Sequence, residues 1–541
     1  MHIVIPMSGI GKRFIDAGYN VPKFLIEIDG KPVIQHVIEL FPGADKFTFI
    51  CNKEHIETTN IEQTLLKIEP NSNIVKIEPH KLGPVHAVLQ ASNFIEDDEE
   101  VIVSYCDFGT YWDYSDFLEH TRNRNADGAV PAYKGFHPHM LGTTNYAFMR
   151  DEKQWMLEIQ EKKPFTSNRM QEYASNGIYY FKKGSYIKKY FSQLIEKGID
   201  LNGEYYISLI YNLLKNDGLD ISIYEIQHML QWGTPADVEE YEQWSSYFTT
   251  QQYFSSRAKI SFVDNLIMPM SGLGSRFSSS GYKQPKPLLD VNQSPMYKFA
   301  IDSCPTYEKL SVAVLNQHDR EFSIAQEVMK NTPNANVQIL ESVTEGQAET
   351  CSLLISDVPD NESIFITACD SGFVWDEDKF TSLIENEGAE VVVFVFKNHP
   401  HANLNPNQYG WVDINENEFN RVSVKTPLSN DVKNDFGVIG SFYFSESQIY
   451  KDAYKKLVEK NDRVNNEFYV DSLINYVDAK IKVLEVDFYI CLGTPNDYET
   501  FIYWQSYHHK NPNNIYSIEK DNNFKDKLVA SEFYKFKQEY S

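Results

Sequence analysis

Arg13 and Lys23 are two cations in a stretch that the chain contains twice. The first copy reads Ile5-Pro6-Met7-Ser8-Gly9-Ile10-Gly11-Lys12-Arg13-Phe14, with Pro22-Lys23 behind it. The second reads Met268-Pro269-Met270-Ser271-Gly272-Leu273-Gly274-Ser275-Arg276-Phe277, followed by Pro285-Lys286. Of the 18 positions from Pro6 to Lys23, 11 are identical in the window from Pro269 to Lys286. Each copy follows a short apolar run, residues 2–6 or 265–269, that reads as a buried strand. The glycines then bring backbone N–H groups close to whatever lies above the strand end, and such groups favour anions. Arg13, Lys23, Arg276 and Lys286 add fixed positive charge. A nucleoside triphosphate needs a loop of this kind, with Ser8, Gly9, Gly11 and Ser271, Gly272, Gly274 beneath its phosphates.

Other phosphate loops fit less well. A Walker loop needs Gly-Lys-Ser/Thr after four spacers, and neither copy has it. A dinucleotide fingerprint needs a third glycine where Phe14 and Phe277 stand. A carboxylate recurs too. Val101 to Asp107 answers Ile364 to Asp370, each an apolar strand that ends on Cys-Asp. A carboxylate at that edge can hold Mg²⁺ against triphosphate oxygens. Cys106 and Cys369 read as small buried residues, since no base partner repeats with them.

With Gly-x-Gly-x-Arg, Pro-Lys and the strand-end aspartate in place, the chain resembles the sugar-phosphate nucleotidyltransferases (nucleotide-sugar pyrophosphorylases). The resemblance covers two stretches of about 240 residues each. It implies two tandem Rossmann-like, glycosyltransferase-A-type α/β domains, each a mostly parallel mixed sheet covered by helices. It also implies metal binding at Asp107 and Asp370, and base recognition at Gly83, Gly346 and Gln347. Lys162 and Lys425 match the lysine of the family's Glu-Lys motif, which holds the acceptor phosphate. Glu161 keeps the glutamate of that motif, whereas the second copy has Val424. Gly177 and Gly440 suggest close approach of the acceptor, and Glu204 and Glu467 mark the last motif. There the family's second metal ligand is matched by Asp471, with Ser208 at the corresponding place in the first copy. The tripeptides His137-Pro138-His139 and His399-Pro400-His401 follow strands beside this region. Their histidines read either as ligands of hydroxyls or phosphate, or as surface loop residues.

The elements that must position these residues follow from the repeat. Arg13/Arg276, Gly83/Gly346, Asp107/Asp370, Lys162/Lys425 and Glu204/Glu467 all share an offset of 263. That constancy implies duplication without net insertion, so tandem domains. The boundaries expected are 1–248 and 264–508, with a linker at 249–263 and a tail at 509–541. Strands are expected at residues 24–28, 47–51, 74–77, 129–133, 178–181, 391–396 and 441–444, and helices at 31–41 and 54–68. Ligands of such sheets sit at the carboxyl ends of the strands.

A net charge of −26 excludes a nucleic-acid or anionic-membrane surface as the natural partner. The phosphates must therefore be met locally, by the cationic loop and a metal. Six cysteines without a CxxC fit a reduced, cytoplasmic protein. The reaction expected joins an NTP to a sugar-1-phosphate or polyol phosphate and releases pyrophosphate, with Mg²⁺ and with homo-oligomerisation open. Family habit suggests surface-polysaccharide precursors. Two alternatives stand beside it. One is a single catalytic half with a degenerate nucleotide-binding or scaffolding half, prompted by Ser208. The other is a glycosyltransferase using an NDP-sugar, although neither Asp107-Phe108-Gly109 nor Asp370-Ser371-Gly372 supplies the Asp-x-Asp that would bind its metal.

Overall fold

The computed structural model describes residues 1–255, 261–291, 294–415 and 418–510. The chain divides into two units whose main spans are Met1–Ser246 and Tyr247–Gln505. The expected tail from 511 onward lies outside the described residues.

In the first unit, His2–Met7 pairs in parallel with Lys46–Asn52 on one side and Val101–Ser104 on the other. Asn73–Ile77 extends the sheet in parallel beyond Lys46–Asn52. On the other side Ile178–Phe181 runs antiparallel between Val101–Ser104 and Gly128–Tyr133, and Ile221–Glu225 pairs in parallel with Gly128–Tyr133. The second unit repeats this order strand for strand, with Asn336–Leu340, Thr306–Leu315, Phe262–Met270, Ile364–Thr367, Phe436–Phe444, Val391–Phe396 and Ile481–Glu485. Each unit is thus a Rossmann-like, mostly parallel mixed sheet.

Alternation along the strands sends side chains to opposite faces. Val4, Val101 and Val103 join one apolar cluster with Val85, Val88 and Ile187 from helices Pro84–Gln90 and Gly184–Glu196. Ile3, Ile5 and Ile102 join another with Ile34, Val37, Ile61 and Leu65 from helices Val33–Glu39 and Ile61–Ile68. The sheet is therefore buried on both faces, which is why its strands read as continuous apolar runs. In the second unit Ile267 and Ile366 face one cluster, and Leu266, Met268 and Phe365 the other.

Several expectations need correction. Residues 24–28 are not one strand. Lys23–Leu25 is a 3₁₀ turn, and only Glu27–Ile28 pairs, with Lys31–Pro32. Pro22 sets the turn, Phe24 anchors it in the core, and Lys23 is left facing the strand ends. The next helix accordingly starts at Val33, with Pro32 as its cap. The helix expected over 54–68 is broken into Lys53–Thr58 and Ile61–Ile68, because Thr59 is extended. The linker expected at 249–263 is helical as far as Ser255, and the next strand starts at Phe262. No Gly or Pro occurs between Pro235 and Ser255 to stop that helix.

Gly83 and Gly346 dock one loop onto another. Each has a positive φ, 83° and 133°, and caps the helix that follows. A Cβ on Gly83 would stand 2.7 Å from the Tyr205 backbone, and on Gly346 2.5 Å from that of Phe468. The amide of Tyr205 donates to Leu82 O and that of Val85 to Tyr205 O; Phe468 and Ala348 repeat the pattern. Backbone clash plus strain should make Gly83→Ala and Gly346→Ala each cost roughly 2 kcal/mol or more. Urea unfolding checks this, and a loss under 0.5 kcal/mol would show that the loops do not need the contact.

Candidate active site

Because His2–Met7 and Val101–Ser104 run in parallel, their carboxyl ends open on one edge. There, in the first unit, lies a cavity of about 620 Å³. It is lined by Ser8 to Phe14, Lys23, Gly83, Asp107, Glu161, Lys162, Gly177, Glu204 and Tyr206, among others. Sequence positions spread over about 200 residues thus meet in one place.

At its floor the Lys23 ammonium donates to Asp107 Oδ2 at 2.5 Å. Burial alone works to lower the pKa of this lysine, but Asp107 outweighs it and raises the value overall. Lys286 and Asp370 form the same pair in the second unit, where Lys286 also donates to Gly493 O at 3.2 Å. Asp107 and Asp370 are each followed by a strand that pairs with the segment before the Gly-Thr-Pro motif, Phe108–Tyr111 with His228–Gln231 and Ser371–Val374 with Phe488–Cys491. Burial pushes the Cys106 and Cys369 thiols up to about 12, which keeps them un-ionised and excludes a nucleophilic role at neutral pH.

Gly11 and Gly274 take left-handed conformations, φ 70° and 61°, and turn the loop into its short helix. Nothing lies within 4 Å of a Cβ placed on Gly9, Gly11 or Gly272, so that side of the loop is open. Arg13 is exposed, lines the cavity, and has no ion pair among the described residues. Its charge acts on Lys23 and Tyr206, and that of Arg276 on Lys425 and Tyr469, so both guanidinium groups belong to their sites. Ser8 and Ser271 are buried and turned to other partners, His80 at 3.4 Å and Thr350 at 3.5 Å.

The far wall carries a second cation. Lys162 and Lys425 both sit in the left-handed region, φ 56° and 58°, where a side chain is strained. Each is pinned there by its amide, which donates to Tyr146 O at 2.8 Å or Tyr409 O at 3.0 Å. Lys162 Nζ donates to the Tyr206 hydroxyl at 2.6 Å, and that hydroxyl donates to Glu204. Lys425 reaches Gln408 O and lies over the Tyr469 ring; burial lowers its pKa. Glu161 accepts from Ser208 Oγ at 2.6 Å. Its carboxyl is pushed up to about 7 by burial, against the pull of Ser208 and Lys162.

Other expected residues are placed differently. His137 is buried and His139 bonds to the Tyr133 hydroxyl at 3.0 Å; neither lines the cavity. Burial holds His137 and His399 near pKa 3, so both are neutral. His401 is paired with the Asp497 carboxylate. The first tripeptide thus lies outside the cavity lining, and in the second His399 is held neutral by burial while His401 is engaged by Asp497. Gly83 lines the cavity while its Cβ side, like that of Gly346, packs on backbone as described, and the amide of Gln347 opens the helix Gln347–Ile355. Gly177, φ 98°, faces the Tyr105 ring, while Gly440, φ 82°, faces Ala368. Glu467 bridges to Val464 as Glu204 does to Leu201. Asp471, expected at a metal, lies beside Lys425 and Gly410. Among the described residues no three His, Cys, Asp or Glu side chains could hold a metal ion together. That donor set fits Mg²⁺ carried in by the triphosphate and held by one strand-end carboxylate, not an ion caged by protein.

Among the cavity residues that sequence reading did not assign to the site are Tyr206, His80, Lys81 and Asn176. Tyr206 recurs as Tyr469 within a motif already singled out, which was signal enough. His80 and Lys81 have no counterpart in the second copy, where Val343 and Thr344 stand. Asn176 is buried in the cavity wall, and its side-chain nitrogen has no partner among the described residues.

The shift at Glu161 has a stability consequence. A folded-state pKa raised from 4.5 to about 7 favours the protonated form. That contribution is present below about pH 4.5 and is lost as pH rises through about 7. Glu161→Gln should therefore gain stability relative to the native chain between pH 5 and 8, by on the order of 2 kcal/mol. Parallel pH-stability curves for the two proteins would contradict this.

A family model described as "Nucleotidyl transferase" matches residues 3–200 and again 265–504. Among solved structures, a nucleoside-diphosphate-sugar pyrophosphorylase from Vibrio cholerae RC9 aligns over 44% of this chain and 99% of its own, at 21% identity and a TM-score of 0.38. A putative glucose-1-phosphate thymidylyltransferase from Bacillus anthracis aligns over 45% and 94%, at 20% identity and 0.37. An inositol-1-phosphate CTP transferase from T. maritima aligns over 45% and 95%, at 16% identity and 0.36.

Proposed function

The chain belongs to the nucleotidyl transferase family, twice over, and from that premise we propose that each unit joins an NTP to a small phosphorylated sugar or polyol and releases pyrophosphate. The observation that carries this reading is the pairing of a strand-end carboxylate with a half-buried lysine below a glycine loop, beside an arginine with no ion pair among the described residues, in both units.

The acceptor's phosphate oxygen attacks the α-phosphorus in line. A new phosphorus–oxygen bond forms there, and the bond to the β-phosphate bridging oxygen breaks. Pyrophosphate leaves with that electron pair, and no proton need move. Arg13 or Arg276 stabilises the leaving pyrophosphate, and the loop amides about Gly9 and Gly11, or Gly272 and Gly274, receive its oxygens. Lys23 or Lys286 stays charged and faces the α-phosphate region. Lys162 or Lys425, fixed by its strained backbone, holds the acceptor phosphate. Asp107 or Asp370 would hold Mg²⁺, which supplies charge neutralisation between phosphates. Catalysis is then positioning and electrostatics, with no covalent enzyme intermediate.

The test uses the full chain with the first unit silenced by Arg13→Ala and Asp107→Asn. Five NTPs are offered with pooled sugar and polyol phosphates, and pyrophosphate is followed. Adding Arg276→Ala or Asp370→Asn should lower the remaining rate roughly 100-fold or more. Unchanged rates would refute the assignment.

A further inference from the structure

The two units differ at three positions that touch. In the first unit Ala147 and Glu161 are cross-strand partners in the hairpin Ala147–Glu152/Trp155–Glu161, and Ser208 Oγ donates to Glu161 Oε2 at 2.6 Å. In the second unit the partners at the same register are Gly410 and Val424, and the residue in the place of Ser208 is Asp471. A methyl group on Gly410 would collide with the Asp471 carboxylate, so that carboxylate lies against the glycine, where the first unit has an alanine. Loss of the glutamate, gain of the aspartate and loss of the methyl thus form one exchange.

The frame around the exchange is the same in both units. The Asn212 side chain accepts from Ile159 N at 3.1 Å and donates to Ile159 O at 2.8 Å; Asn475 does the same with Val422, at 2.7 and 3.0 Å. This pair of hydrogen bonds holds the helical segment of Ser208 or Asp471 against the hairpin of Lys162 or Lys425. The two carboxylates also share surroundings. Each is half-buried beside the acceptor lysine, and desolvation pushes Glu161 to about 7 and Asp471 to about 6. A buried carboxylate beside a cation that holds a phosphate accepts hydrogen bonds from hydroxyls.

We propose that Asp471 is the acceptor-reading carboxylate of the second unit, taking from the opposite wall the place that Glu161 has in the first, and that it selects a hydroxylated phosphomonoester. This rests on the reading of each unit as a nucleotidyltransferase acting on such acceptors. It makes Asp471 a specificity residue rather than a metal ligand, and Ser208 no mark of a degenerate half. Gly410 is what admits Asp471, and Val424 fills the space that the glutamate vacates.

The experiment uses the full chain with Glu161→Gln and Lys162→Ala, which remove acceptor binding from the first unit. Calorimetric titration compares two matched pairs, glucose 1-phosphate against cyclohexyl phosphate and glycerol 3-phosphate against propyl phosphate. The hydroxylated member should bind about tenfold tighter or more in at least one pair. Asp471→Ser should abolish that preference while MgNTP binding, followed by dialysis, stays within about twofold. Adding Val424→Glu and Gly410→Ala should restore the preference. No preference at the start, a preference that survives Asp471→Ser, or a triple variant no better than the single one would each overturn the proposal. Pyrophosphate release is followed on the same proteins. Its absence with the preference intact sinks the transferase reading and leaves the carboxylate assignment standing.

Discussion

An ammonium and a carboxylate at the carboxyl ends of neighbouring elements hold each site in order. Lys23 and Asp107 stand 84 residues apart in sequence, as do Lys286 and Asp370. At a few ångströms and an effective dielectric near 20, such a pair is worth about 4 kcal/mol of Coulomb energy before the cost of desolvation. Removing one partner leaves the other as an uncompensated, partly buried charge. The pair keeps the lysine protonated, and it fixes the floor on which a polyphosphate would lie. Everything above that floor is arranged by sheet topology. Parallel strands bring Ser8 and Asp107 to one edge, and the 3₁₀ turn after Pro22 brings the lysine back to meet them. The net charge of −26 sharpens this point, because the attraction of phosphate is a property of the site alone.

The duplication preserves the floor and varies the walls. The loop glycines, the arginine and the ion pair recur without exception. The strained lysine recurs with nearly the same φ, and so does its backbone tether. Around it, His80 and Lys81 give way to Val343 and Thr344, and the acceptor-side carboxylate changes walls. Under the proposed reading, the first group would meet the phosphates of an NTP and the second its base and the acceptor. Among the described residues no helix is long and apolar enough to cross a membrane.

Much of this was legible before any coordinates. A repeat at one offset gave the architecture, and apolar runs ending on Cys-Asp placed the edge on which the first unit's cavity opens, because a doubly covered parallel sheet leaves that signature in composition. The glycine-arginine loop was legible because its spacing is short. What stayed hidden depends on distance along the chain. The contact of Ser208 with Glu161 spans 47 residues, and sequence register alone shows Ser208 only as a missing aspartate. The histidines of His-Pro-His follow a strand in sequence, yet their rings tuck beneath Tyr133 or pair with Asp497. Gly83 and Gly346 were correctly singled out, but backbone fills the space beside them. Helix limits were lost where a single extended residue, Thr59, breaks one run, and where an absence of breakers lets another continue to Ser255.

Nucleotide stoichiometry bears on all of this most directly. Equilibrium dialysis of labelled MgNTP against the full chain, at saturating concentration for whichever base binds, counts occupied sites per chain. Two intact ion-paired floors predict two nucleotides per chain, falling to one in Lys286→Ala. A single nucleotide in the native chain, or a count of two that survives removal of Lys286, would contradict the account.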